Sequence, residues 1–243
     1  MSNYAPAIGI MTTALRKAVK FIIRDYGEIL HLQSSAKGTL SFALRTEKRV
    51  REVINAELES FKKKYDIFYV NDEMPESEAE FRWIIEPLEG INNFAHGIPL
   101  FCSWVALQKK ENDIYKTVAV IVEAPGIEET YFVEVGCGAW NENYSRFSKG
   151  RVRMRVSARK YKNELLFVSN VIKLRAGRVF TGPILDSIFL GCGKIDAIIL
   201  EENNDIIKDI TKLFVEESGG VVEINSPFIS LTNALVKTDI SKL

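Results

Sequence analysis

The residues best suited to chemistry lie in one stretch, Trp83-Ile-Ile-Glu86-Pro87-Leu88-Glu89-Gly90-Ile91-Asn92-Asn93-Phe94. A short apolar strand delivers Glu86, and a proline turn follows. Glu89 and the backbone of Gly90 and Ile91 then emerge on the same side. Two carboxylates three residues apart across a tight turn can face one point in space. Such oxygen-rich pairs suit hard divalent cations such as magnesium. Free backbone N–H groups after Gly90 can receive an anion such as phosphate. Taken alone the signal is modest, because two glutamates beside a turn are usually just solvated.

Other chemistries find less support. His31 and His96 are the only histidines, and neither has a His, Cys or Asp partner at ligand spacing. A lone histidine without an orienting partner reads as surface or packing. The three cysteines, Cys102, Cys137 and Cys192, are far apart and read as reduced thiols of a cytosolic protein. No Gly-x-Ser-x-Gly elbow, P-loop or Gly-x-Gly-x-x-Gly run occurs.

The elements that must position Glu86 and Glu89 can be read from periodicity. A first helix is expected from Met11 to Tyr26, and a second from an N-cap at Thr46 to about Tyr65. The stripe Val50, Val53, Ile54, Leu58 and Phe61 reads as core packing. Lys62-Lys63-Lys64 reads as a solvated helix end. Short strands follow at 67–70, 83–85, 103–109, 117–123 and 129–135, with a Pro125-Gly126 turn before the last. Neighbouring strands in this density predict an antiparallel sheet covered by the two helices. After about residue 150 the pattern alternates. Strands are expected at 165–169, 197–200 and 221–224, helices at 183–193 and 209–218, and a last helix from Thr232. The reading is therefore an N-terminal α+β half over residues 1–145 and an α/β half over 146–243, together one compact unit.

The 243 residues carry 32 basic and 32 acidic side chains, so there is no net charge and no strong nucleic-acid signal. Hydrophobic residues are 47%, which fits a folded chain rather than a disordered one. No apolar run reaches the roughly 20 residues that span a bilayer. The N-terminus has no signal-peptide core, and a cytoplasmic location is expected.

The acidic stretch resembles the inositol monophosphatase family signature, Trp-x-Ile-Asp-Pro-Ile-Asp-Gly-Thr-x-Asn-Phe. The likeness extends to Pro99, Ser103, Ala106 and Leu107. It also takes in Lys37-Gly38 with Glu47-Lys48, Pro125 with Glu129, Gly136-Cys-Gly138-Ala139, and Glu216-Glu217-Ser218-Gly219-Gly220-Val221. It covers nearly the whole chain and is nearest to the SuhB-like bacterial branch. It implies a layered αβαβα sandwich of the inositol monophosphatase and sugar phosphatase type. It further implies a magnesium-dependent phosphomonoesterase, a small phosphorylated substrate, a homodimer and, through the SuhB-like branch, a transcription-machinery partner. The stretch from Ser169 to Thr181 is too short for the helix the family carries there, on which its usual dimer interface depends.

Transferred residue by residue, the family's site is altered. Glu86 and Glu89 stand where the signature has aspartates, each one methylene longer. The carbonyl of Leu88 keeps its place, and Asp72 or Glu73 stands for a further metal ligand. Gly90 and Ile91 take the phosphate-binding positions. The water-activating dyad corresponds to Glu47 and Ile91, and isoleucine has no hydroxyl to orient water. Counting back without a gap from Gly220 places Ile206 and Ile207 at a Trp-Asp pair, so Ile207 replaces the distal metal-binding aspartate. Asp205 is the better substitute, since Asp209 lies about 200° further round a helix. The expectation is weak or absent magnesium binding, impaired catalysis and a binding or regulatory role; the alternative is an active phosphatase with a rebuilt metal site.

Overall fold

The computed structural model describes residues 4–33, 38–143, 150–161, 163–169, 182–225 and 228–235. They fall into two compact units, Met1–Phe132 with Glu142–Gly150, and Val133–Asn141 with Arg151–Leu243.

The first unit opens with two helices. α1 (Ala5–Leu32) buries Met11, Leu15, Ala18, Ile22 and Ile29 along one stripe. It extends beyond the expected Met11–Tyr26 at both ends. Pro6 sits in its first turn, where a missing N–H costs nothing, and Ile29 carries the buried stripe onward. α2 (Thr39–Leu58) starts seven residues before the expected N-cap. Gly38 precedes it in the left-handed region at φ 57°. Thr46 is buried in mid-helix, and its hydroxyl donates to Asp25 Oδ2 at 2.9 Å. A Thr that looks like a cap is thus a clasp between helices.

Five strands follow: β1 (Tyr65–Tyr69), β2 (Phe81–Glu89), β3 (Cys102–Glu111), β4 (Ile114–Ala124) and β5 (Glu129–Glu134), in that spatial order. Asn112 and Asp113 both hold positive φ, the twist a tight β3–β4 hairpin needs. β2 and β4 each run antiparallel to β3. β1, however, runs parallel to β2, from Tyr65 opposite Phe81 to Tyr69 opposite Ile85. This corrects the expected wholly antiparallel sheet. The connection through residues 70–80 is long enough to return the chain to the starting end of the strand, which a hairpin cannot do. A short helix, α3 (Ile91–Ala95), follows β2. The helices cover this sheet with a core that includes Trp83, Phe94 and Phe101.

The second unit holds β6 (Gly138–Asn143) beside β7 (Gly150–Arg153) and a four-stranded sheet. That sheet is built from β8 (Phe167–Ser169), β9 (Ala197–Glu201), β10 (Val221–Asn225) and β11 (Phe228–Thr232), in the order β10-β11-β9-β8. β8 is parallel to β9, and the other pairs are antiparallel. α4 (Pro183–Gly191) packs on α5 (Asp205–Glu217). α5 begins four residues earlier than expected, because the Asn204 side chain accepts the N–H groups of Ile206 and Ile207. Thr232 ends a strand instead of opening a helix, since its segment completes the pairing of β9 and β10. The remainder of that expected helix, residues 236–243, the shortened segment 170–181, and Lys37 lie outside the described residues.

Two sheets and five helices give the expected mixed α/β class. Among the described residues no helix is long and apolar enough to cross a membrane.

Candidate functional site

The acidic turn grows out of a central strand. β2 pairs on both sides through Ile85, and then its register with β3 slips between Glu86 and Glu89. Glu86 faces Trp104 and Glu89 faces Cys102, so β2 spends one residue more than its partner. Pro87 lies inside this bulge, where no ladder N–H is needed. The bulge ends at Gly90 with φ 83°, and a Cβ there would lie 2.9 Å from the Leu100 carbonyl oxygen. Only glycine meets both conditions.

Burial raises the Glu86 carboxyl to about 7, and the nearby Glu47 charge adds to the rise. The Leu88 N–H, reaching Glu86 Oε1 at 3.4 Å, and the Arg51 guanidinium pull it back. Ser103 Oγ donates to the Glu86 carbonyl at 3.3 Å. Glu89 takes a different direction, because Trp104 Nε1 donates to its Oε2 at 2.9 Å. The two signature carboxylates thus differ in their partners.

Glu47 sits half-buried on α2, one turn before Arg51. Arg51 donates to Asp72 Oδ2 at 2.5 Å and lies over the Tyr69 ring at 3.8 Å. Burial drives the Tyr69 hydroxyl far above its ordinary range; Arg51 opposes this, while Asp72 and Glu47 reinforce it. Glu73, next to Asp72, is exposed. Ile91 is half-buried and packs on the hydrophobic core of the first unit. α3 has five residues, so Gly90 and Ile91 offer a few N–H groups rather than a long helix dipole.

The structure therefore gathers Glu47, Asp72 and Glu86 around Arg51 and places Glu89 on Trp104. Sequence reading did not name Arg51, Tyr69 or Trp104. Arg51 was accessible from its i, i+4 spacing to Glu47. Trp104 needed the β2–β3 register. Among the described residues no group of three or more His, Cys, Asp or Glu is arranged to hold a metal ion.

The distal position belongs to the second unit. Ile207 is 7% exposed, in the first turn of α5. Asp205 does not precede the helix as expected but is its first residue, and Lys208 Nζ donates to its Oδ1 at 2.9 Å. Asp209 is half-buried on the same helix.

The architecture is that of solved SuhB and inositol monophosphatase chains. The extragenic suppressor protein SuhB from Bartonella henselae superposes with a TM-score of 0.74 over 95% of both chains, at 24% identity. In sequence, the chain is 28% identical to the inositol-1-monophosphatase of Mesorhizobium japonicum over 229 residues, 88% of this chain and 84% of that protein. It is 28% identical to the Nus factor SuhB of Xylella fastidiosa over 237 residues, 89% of this chain and 81% of that one. No family model matches. In sequence and in fold the chain is similar to the inositol monophosphatase family.

Proposed function

We propose that this is a SuhB-like member of the family whose magnesium-dependent phosphomonoesterase site is impaired, kept for a binding or regulatory role in the cytoplasm. The observation that carries the reading is how the acidic side chains of the first unit are engaged. Glu89 is held by Trp104, Asp72 by Arg51, and Glu86 sits near half-protonation at neutral pH. Magnesium demands a near-ideal octahedron of oxygens. A carboxylate gripped by a guanidinium, or carrying a proton, is a poor member of that shell. Ile91, in the same turn, adds no side-chain oxygen. This donor set does not fit magnesium.

The test is hydrolysis of inositol 1-phosphate with millimolar magnesium. Turnover within the usual enzyme range of about 1 to 10³ per second would reject impairment. The likeness to a Nus factor supports a partner in the transcription machinery. Binding to purified transcription elongation complexes measures that part separately. Sedimentation of the chain alone tests the homodimer that the family resemblance suggests.

A second reading is favoured by the survival of Glu86, Glu89 and the Leu88 carbonyl around one bulged turn. In it the chain is a working phosphatase for a small sugar or inositol monophosphate, with a rebuilt metal site. Glu86→Ala then abolishes both hydrolysis and magnesium binding. A calorimetric titration in which magnesium gives no heat of binding would remove this reading.

A further inference from the structure

The first unit contains a groove of about 600 Å³ between α1 and the turn joining β4 to β5. Its helix wall is formed by Arg16, Val19, Lys20 and Ile23. These fall at i, i+3, i+4 and i+7, one face of the helix. The opposite wall presents Glu123, Pro125, Glu128 and Glu129. One side is therefore cationic, the other acidic, and the space between is lined by Val19, Ile23 and Pro125.

Within the groove the charges are not fully matched. Glu123 is 4% exposed. Thr130 Oγ1 donates to its Oε2 at 2.7 Å, whereas its Oε1 is buried without a hydrogen bond. Arg16 Nε forms an ion pair with Oε1 at 3.7 Å, too long for a hydrogen bond, and its Nη2 turns to Glu142 at 3.3 Å. A buried acceptor left unmatched is costly, and a ligand donor that reaches it recovers that cost. Lys20 is exposed and makes no ion pair among the described residues. Glu128 is held at φ 58°, a conformation side-chain-bearing residues rarely adopt.

We propose that this groove binds a small zwitterion of the amino-acid type. Its ammonium donates to Glu123 Oε1, its carboxylate lies on Lys20 and Arg16, and its apolar body rests on Val19, Ile23 and Pro125. A lone cation would leave Lys20 unmatched, and a lone anion would leave Glu123 Oε1 without a hydrogen bond. Apolar lining with a few placed polar groups is the usual make-up of a small-molecule site.

The probe is L-leucine, titrated into the full chain and followed by backbone amide NMR. 4-Methylpentanoate and 3-methylbutylamine serve as the two half-ligands. L-Leucine should saturate one site and shift α1 and β4–β5 amides, with each half-ligand at least about tenfold weaker. Glu123→Gln and Lys20→Ala should each weaken L-leucine about tenfold. Lys20 is exposed, so its variant tests the proposal even if Glu123→Gln unfolds the chain. The proposal is overturned if no saturation occurs up to about 10 mM. It is also overturned if the amine alone binds as tightly as L-leucine, or if the folded variants bind it unchanged. Neither variant touches the acidic turn, so the outcome is independent of the phosphatase reading.

Discussion

Two acidic sites in the first unit make opposite use of the same functional group. Asp25 on α1 is 1% exposed and saturated with donors. Arg24 Nε and Nη2 reach its Oδ1 at 2.8 and 2.7 Å, and Arg49 Nη1 and Thr46 Oγ1 reach its Oδ2 at 2.6 and 2.9 Å. Glu86, in the acidic turn, is half-buried with one weak backbone contact at 3.4 Å, and its carboxyl is raised to about 7. Burial penalises a charge in both places. At Asp25 cationic and hydroxyl donors offset the penalty, and the group fastens two helices. At Glu86 the penalty stands, and the group is poised to exchange a proton. The contrast separates a carboxylate whose burial is offset by donors from one whose burial is not.

The sharpest way to break this comparison is Asp25→Ala. It strips two arginines of their acceptor, leaves Thr46 only the Phe42 carbonyl, and should cost about 3 kcal/mol in urea unfolding. A loss under about 1 kcal/mol, the level of an ordinary surface ion pair, would show that the clasp is not structural. Gly90→Ala should follow at about 2 kcal/mol, from a positive φ and a clash with the Leu100 carbonyl. If its melting temperature matches the parent, the bulge that aims Glu86 and Glu89 is not rigid.

The third test is a pH profile. The Glu86 carboxyl lies near 7 when folded against 4.5 ordinarily, so between those values the folded chain holds the proton more tightly. Its contribution is neutral below about 4.5, and it destabilises progressively as pH rises to about 7, reaching on the order of 3 kcal/mol. Glu86→Gln should abolish that decline, seen as a flatter plot of unfolding free energy between pH 5 and 8. Parallel profiles for the two proteins would refute the poised carboxylate. The smallest effect is expected from Trp104→Phe. Losing the indole donor to Glu89 should cost about 1 kcal/mol. On the proposed reading it also releases Glu89 from that contact and strengthens magnesium binding by calorimetry.

Much of the first unit was legible in sequence because its signals are local. The stripe of α2 and the apolar runs of β3 and β4 follow directly from period. Thr46 misled because a hydroxyl that caps a helix and one that bonds across helices look the same in a sequence. The parallel β1 was hidden because alternation records which face is buried, not which way the neighbouring strand runs. At the site, Glu86, Glu89 and Gly90 stood out through their turn chemistry. Trp104 did not, since its contact with Glu89 depends on a slip in strand register.

By itself the sequence determined the mixed α/β class, the acidic turn and the isoleucines at positions 91 and 207. Those are matters of residue type and short-range spacing. Only the tertiary structure decided which carboxylates are spoken for: Asp72 by Arg51, Glu89 by Trp104, Asp25 by its three donor side chains, and Glu86 by almost nothing. A carboxylate's charge, partner and proton depend on what is brought within a few ångströms of it in a low dielectric, and folding sets those distances.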